Sequence, residues 1–365
     1  MKATIAELTR RSDVRAALAG YRHHLEEILA QIVAIQQVAA PTFAEKRRSA
    51  YIEAQFRALG AAEVSHDALH NVFARLPGRD AGRPPLVISA HLDTVFPATT
   101  DLTTRREGPL FFGPGIGDNS TGLAGLLVLG RTLVERALPH AADIYLVANV
   151  GEEGLGDLRG MRAVVERFGE RAAYLVVEGG LFGQLTHQAV GVRRYRIEVT
   201  APGGHSWGGF GAASAIHVLG HLIAAIDGLD VPAAPKTTYN VGIIEGGLSV
   251  NSIAHAARLW LDLRSEDAGE LERLVGQVQA ILERMNHDHA EAGDGVHLVA
   301  ETVGNRPAGA VGRDAPIVAH AEAALRAVGC GDVRYIVSST DANSPLSRGY
   351  EAVCLGLTHS GNSHG

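Results

Sequence analysis

The sequence predicts an α/β fold, a mainly parallel sheet flanked by helices, with a smaller α+β domain inserted into it. Three observations carry this expectation. The chain has 365 residues, more than one hydrophobic core usually organises. Up to about residue 186, short apolar runs alternate with segments of helical period, the pattern of a parallel sheet with helices on both faces. Near residue 187 the texture changes to strict apolar–polar alternation, and after residue 302 it changes back. The expected division is therefore residues 1–186 with 303–365 as one domain, and 187–302 as the insert.

Element by element, Leu25, Ile28, Leu29, Ile32, Val33 and Ile35 recur at helical spacing. A second helix is announced by the T-x-x-E capping box of Thr42 and Glu45, carries Ile52, Phe56 and Leu59 on one stripe, and stops at Gly60. "NVFARL" and "PLVISAHLD" read as strands, and a helix runs from the glycine-rich "GPGIGDNSTG" through Leu126, Leu127 and Leu133. "DIYLVANV" and "AYLVV" read as buried strands separated by a helix. In the insert, "RYRIEVTA" and "ARLWLDLRS" alternate as half-exposed antiparallel strands do, and Ala215–Ile226 and Leu271–Leu282 supply two amphipathic helices. A helix near 315–327 and the strands "YIV" and "AVCLGL" complete the first domain.

Composition narrows the class. Hydrophobic residues make up 46% and charged residues 20%, and no apolar run has the eighteen or more residues that a membrane span needs. The N-terminus scatters charge where an export signal needs an apolar run, so the cytoplasm is the expected location. The formal charge of -7 and the lack of a basic run argue against a nucleic-acid partner. Cys330 and Cys354 are too few for a disulfide framework or a thiolate metal site.

Four of the strand-like runs end in acids or histidine: His91 and Asp93, Glu152 and Glu153, Glu178, and His359 with His364. In open α/β sheets ligands bind beyond the carboxyl ends of the strands, so these groups should converge. Crowded carboxylates raise one another's pKa unless a cation neutralises them, and a divalent metal does so. Imidazole and carboxylate without thiolate suit Zn²⁺ first, with Co²⁺ or Mn²⁺ as alternatives. His91, Asp118, Glu153, Glu178 and His364 are one more ligand than a tetrahedral ion needs, and the right number for two ions sharing a carboxylate roughly 3.5–4 Å apart. Asp93 projects to the same strand face as His91 and could orient its ring. Taken singly, a strand-end histidine is usually a satisfied group and paired glutamates are usually solvated. A second reading of "GPGIGDNSTG", a phosphate-cradling loop in a nucleotide-binding protein, lacks both G-x-x-x-x-G-K-[ST] and the dinucleotide spacing. A non-catalytic metal-binding protein is a third reading, against which the intact Glu152 speaks.

In combination these motifs resemble the co-catalytic zinc peptidase family of peptidase T, carboxypeptidase G, acetylornithine deacetylase, succinyl-diaminopimelate desuccinylase and aminoacylase. The resemblance runs from "SAHLDTV" to the C-terminus: H-x-D-T-V, then G-D-N-S-T-G 27 residues on (91 to 118), G-E-E-G 35 further (118 to 153), and an acid after 25 more (153 to 178). It implies a di-zinc exopeptidase-like catalytic domain with an inserted lid or dimerisation domain, and hence a homodimer. It further implies that His91 and Glu178 hold one zinc, Glu153 and His364 the other, that Asp118 bridges them, and that Glu152 is the general base. The bond from Asp118 to Asn119 is expected to be cis. In the insert, "APGGHSWGG" resembles a G-H-S motif whose histidine, here His205, stabilises the oxyanion, often in the partner's site. Asn251 of "GGLSVNSI" and Arg264 of "LDLRS" are candidate substrate contacts, Arg264 for a carboxylate. Asp341 of "SSTDANSP" resembles a segment near the substrate. The implied substrate is a small peptide or an N-acyl amino acid. The family's last histidine normally precedes a short acidic helix, whereas this sequence stops at Gly365, which leaves His359 as a second candidate ligand.

Overall fold

The computed structural model describes residues 4–359 and 361. It divides into two compact units: the chain up to Ala189 together with that from Gly309 onward, and Val190–Ala308.

The first unit opens with helices α1 (Ile5–Leu8), α2 (Ser12–His23), α3 (Leu25–Gln36) and α4 (Lys46–Ala58), followed by strands β1 (Glu63–His66), β2 (Val72–Leu76) and β3 (Leu86–His91). A small hairpin of β4 (Arg105–Glu107) and β5 (Leu110–Phe112) leads into a loose turn, Ile116–Thr121, and then α5 (Gly122–Glu135). β6 (Ile144–Asn149), α6 (Arg159–Phe168), β7 (Ala173–Phe182) and β8 (Gln184–Ala189) come next.

The insert contributes β9 (Gly191–Thr200), β10 (Gly204–His205), α7 (Ala215–Asp227), β11 (Thr237–Gly246), β12 (Ser252–Ile253), β13 (Ala256–Ser265), α8 (Ala268–Ala292) and β14 (His297–Arg306). The chain returns through β15 (Gly309–Ala310), α9 (Pro316–Ala327), β16 (Arg334–Ser338), α10 (Asn343–Leu346) and β17 (Ala352–Gly356).

The large sheet runs β1-β2-β6-β3-β7-β17-β8-β15, with β16 added beside β8. Its centre, β6-β3-β7-β17, is parallel, and antiparallel strands close both flanks. Strand alternation sends Ala74, Ile88, Ala90, Leu146 and Ala148 to one face, where Ile35 of α3, Ile52 and Phe56 of α4 and Leu126 of α5 cover them. Phe73, Val87, Val147 and Val176 point the other way, onto Met161, Val164 and Val165 of α6. Both faces are buried, which is why these strands read as continuous apolar runs.

In the second unit the sheet β11-β13-β9-β14 is antiparallel throughout. One face packs Ile197, Val199, Leu259 and Leu261 against Leu219 and Leu222 of α7 and Leu274 and Val278 of α8. The exposed positions of the same strands carry the ion pairs Arg194–Asp262, Arg196–Glu301 and Arg258–Glu245. Because β14 pairs with β9 as far as Arg306, this unit extends to Ala308 instead of ending at residue 302.

One local expectation fails. Thr42 is not the N-cap of α4, which begins at Lys46 after Glu45 with no side-chain cap. Both capping-box residues have other partners, described below. Among the described residues no helix is long and apolar enough to cross a membrane.

Candidate functional site

His91 is the last residue of β3, Glu152 and Glu153 follow β6, and Glu178 lies in β7, so three neighbouring parallel strands deliver them to one end of the sheet. Asp118 comes from the turn ahead of α5. That turn is held by its own side chains: the Ser120 hydroxyl donates to the Gly115 carbonyl at 2.7 Å, Thr121 to Ile116 at 2.8 Å, and the Asn119 amide to Val177 at 2.9 Å. The Asp118–Asn119 peptide is cis.

His91 shows how the group is oriented. Its Nδ1 lies 3.0 Å from the backbone carbonyl of Asp93, an atom that can only accept, so Nδ1 carries the proton. Nε2 then faces the anions: Asp118 Oδ1 at 2.9 Å and Glu178 Oε2 at 3.6 Å. Ligand atoms of His91, Asp118 and Glu153 lie within 4.8 Å of one another, the spacing of a metal site.

The electrostatics follow from burial. Burial first, then the neighbouring carboxylates, push the Glu153 carboxyl up to about 8 and that of Glu178 up to about 7. For His91, burial pulls the pKa down, but the charge of Glu178 and the bond to Asp118 outweigh it and hold it well above its ordinary value. These anions therefore call for a positive charge at their centre, and the N/O donor set fits a divalent cation.

Asp93 does more than face His91, whose Nδ1 also lies 3.5 Å from its Oδ1. Its carboxylate takes the backbone N–H of Glu152 on Oδ1 and that of Glu153 on Oδ2, each at 2.9 Å, and the Thr42 hydroxyl at 2.9 Å. Burial raises its pKa, but His91 and the two amides outweigh this and hold it at about 2. Its carbonyl and its Oδ1 both face His91 Nδ1, and its carboxylate also clamps the turn that carries the two glutamates.

Three further features were not read from the sequence. Arg48 is buried beneath this region and donates to the carbonyls of Val38 at 2.8 Å and Leu92 at 2.9 Å, with burial pulling it down to about 10. The signal was there, since Arg48, Ile52 and Phe56 share one helical stripe and a charge on an apolar stripe requires partners. Asn149, the last residue of β6, donates to Asp341 at 2.7 Å. Burial, then the charge of Glu152, pushes that fully buried carboxyl well up. Arg159 pairs with the buried Glu45 at 2.5 Å, the second residue of the misread capping box.

Of the remaining expected residues, His205, Asn251 and Arg264 belong to the second unit. His364 is outside the described residues. His359 is exposed and sets its ring edge-on to Phe182 at 5.4 Å. In the insert, β10 pairs with β12, which places His205 opposite Ser252, and Ser206 donates its N–H to the Asn251 carbonyl at 3.0 Å. The N–H groups of Trp207 and Gly208 point at His205 Nδ1, at 3.2 and 3.4 Å, so Nε2 carries the proton and is an exposed donor. Arg264 is committed to Asp262, to which its Nε donates at 2.6 Å.

Comparison with known proteins adds to this geometry. The profile of the Peptidase dimerisation domain matches residues 188–290, and that of Peptidase family M28 matches residues 71–177. A probable carboxypeptidase of Aspergillus clavatus is 30% identical over 232 residues, 53% of this chain and 47% of that protein. A succinyl-diaminopimelate desuccinylase of Burkholderia mallei is 28% identical over 206 residues, 52% of each chain. The chain thus spans about half the length of the curated relatives it matches. A tripeptidase from Staphylococcus aureus has the same fold, with a TM-score of 0.74 at 22% identity over 91% of this chain and 90% of that one. In its matched dimerisation domain, in the sheet that gathers His91, Glu153 and Glu178 around Asp118, and in these relatives, the chain is similar to the co-catalytic metallopeptidases, among them carboxypeptidases and succinyl-diaminopimelate desuccinylase.

Proposed function

We propose that the protein is a metal-dependent hydrolase of a peptide or N-acyl amide bond in a small substrate. The observation that carries this reading is His91: its Nδ1 proton is fixed on a carbonyl, which aims Nε2 into a cluster of buried carboxyls whose turn also bears Glu152. His91 and Glu178 would hold one ion and Glu153 and His364 a second, with Asp118 able to serve both. Zinc suits the donors first, then cobalt or manganese. The bound ions supply Lewis acidity, polarising the scissile carbonyl and acidifying water.

Glu152 acts as the base. Its carboxylate takes the proton of the attacking water and delivers it to the leaving nitrogen, and Asp93 fixes its backbone for that task. His205 is assigned to the oxyanion through its Nε2 proton, and the matched dimerisation domain supports a homodimer. Asn251 braces the His205 turn and is assigned to substrate binding with it. Arg264 is assigned to a substrate carboxylate, for which it exchanges Asp262.

The relatives include both a desuccinylase and a tripeptidase, so the substrate is set at the level of the amide bond. The test is a panel of dipeptides, tripeptides and N-acyl amino acids assayed with zinc, cobalt or manganese, alongside elemental analysis. About two metal ions per chain, and turnover lost by roughly 10²-fold or more in Glu152→Ala with metal retained, are expected. Full turnover in that variant overturns the mechanism.

A further inference from the structure

We propose that Arg159 is a positioning residue for the catalytic turn, a stacked clamp that holds Gly151 and thereby the Glu152 carboxylate in place. This rests on the assignment of Glu152 as base.

Arg159 begins α6, and its guanidinium is enclosed on several sides. The Phe43 ring lies over it, 4.6 Å from the guanidinium carbon to the ring centroid. Nη2 donates to Glu45 Oε1 at 2.5 Å, and Glu45 is itself buried, so the pair is a fixed one. Towards the turn the guanidinium lies against Gly151, where a Cβ would sit 2.2 Å from Nη1. Gly151 also has φ +68, in the left-handed region, so close approach and backbone conformation both demand glycine. Nη1 is buried and has no hydrogen-bond partner among the described residues, so what it contributes there is contact with the Gly151 backbone.

Phe43 points to the same purpose. A phenylalanine that is 64% exposed and has φ +74 is unfavourable in both respects. Its place is explained by what it covers. The Glu152 turn is thus gripped twice: Asp93 holds the amides of Glu152 and Glu153, and the Phe43–Arg159–Glu45 stack lies against Gly151. Thr42 and Glu45, which flank Phe43, belong one to each grip.

A clamp of this kind acts on the ordering of the turn, and a group displaced by about 1 Å from its reacting partner loses roughly 10²-fold in rate. The test compares full-length wild type with Arg159→Met and Phe43→Gly by hydrogen–deuterium exchange and steady-state kinetics. In Arg159→Met the segment 150–156 is expected to exchange roughly tenfold faster while α5 exchanges as in wild type. Where substrate is turned over, kcat falls roughly tenfold or more, with KM and metal content unchanged. Phe43→Gly removes the stack and the backbone strain together, so its Tm is expected to hold or rise while exchange at 150–156 quickens. A merely structural role would move stability and exchange in the same direction.

Wild-type exchange at 150–156 in both variants overturns the proposal, as does a rise of equal size throughout the unit. A wild type that hydrolyses nothing overturns the proposed function, and the exchange data still decide the clamp.

Discussion

At the scale of the residue, Asp93 and the glutamates it positions have opposite pH signatures. Asp93 has a folded pKa of about 2, below its ordinary 3.8, so the stability it contributes is present above about pH 4 and lost as pH falls towards 2. Replacing it with Asn turns one hydrogen-bond acceptor into a donor facing an amide N–H. Asp93→Asn is therefore expected to lose about 2–4 kcal/mol in urea denaturation and most of the metal affinity, whereas an unchanged midpoint would refute the clamp. Glu153 and Glu178 have folded pKa values raised to about 8 and about 7. The metal-free native state therefore keeps protons that the unfolded chain releases from about pH 4.5 upward, and it loses stability as pH rises to about 8. With zinc bound these carboxyls ionise, and protons are released on binding. Thermal scans should show the Tm gap between zinc-loaded and metal-free protein widening from pH 5 to pH 8, and calorimetry near pH 6.5 should show a binding heat that depends on buffer ionisation. A constant gap and a buffer-independent heat would remove the metal from this cluster.

At the scale of the element, the sequence was most legible where burial imposes a period. The runs "VISAH", "IYLVAN" and "AYLVV" became β3, β6 and β7 because both faces of each strand are covered, and the acids at their ends converge because those strands are neighbours and parallel. What stayed hidden depends on contacts distant in sequence. Thr42 and Glu45 have the local signature of a helix cap, yet their partners are Asp93 and Arg159, 51 and 114 residues away. Capping chemistry and tertiary hydrogen bonding use the same side chains, so spacing alone cannot separate them. Close packing of elements is equally invisible in sequence. Gly179 of β7 runs so near the Asp118 turn that a Cβ would lie 1.6 Å from the Gly117 carbonyl oxygen, and backbone must move to admit it. Gly179→Ala is expected to destabilise the protein by roughly 1–3 kcal/mol and to weaken metal binding. Gly276, in the middle of α8 with open space around it, is the matched control: Ala there should stabilise by about 0.5–1 kcal/mol with metal binding untouched. Equal effects of the two substitutions on metal binding would separate β7 from the placement of Asp118.

At the scale of the whole molecule, the insert was recognisable because a sheet with one packed face alternates, and its far boundary was missed because β14 ends inside "VGNRPAGAV", where the alternation fades. This unit also exposes apolar side chains that its own core leaves uncovered. β11 is an edge strand with Ile243 and Ile244 about half exposed, and the loop after it presents Leu248 and Val250 with relative exposures of 97% and 102%. Edge strands with apolar borders are templates for pairing with another chain, and the matched dimerisation domain makes a second copy of this chain the expected occupant. In a two-fold dimer formed through β11, Asp at both Leu248 and Val250 would set like charges against each other, because each patch would meet its own copy or lie close to it. The double variant should sediment as a monomer at micromolar concentration while wild type sediments as a dimer. If His205 serves the partner's site, that monomer should also keep its metal and its Tm while turnover falls roughly 10²-fold, the size of effect expected when one oxyanion donor is withdrawn. A monomer with wild-type turnover would withdraw His205 from the partner's site, and a dimer that survives both substitutions would move the interface away from β11.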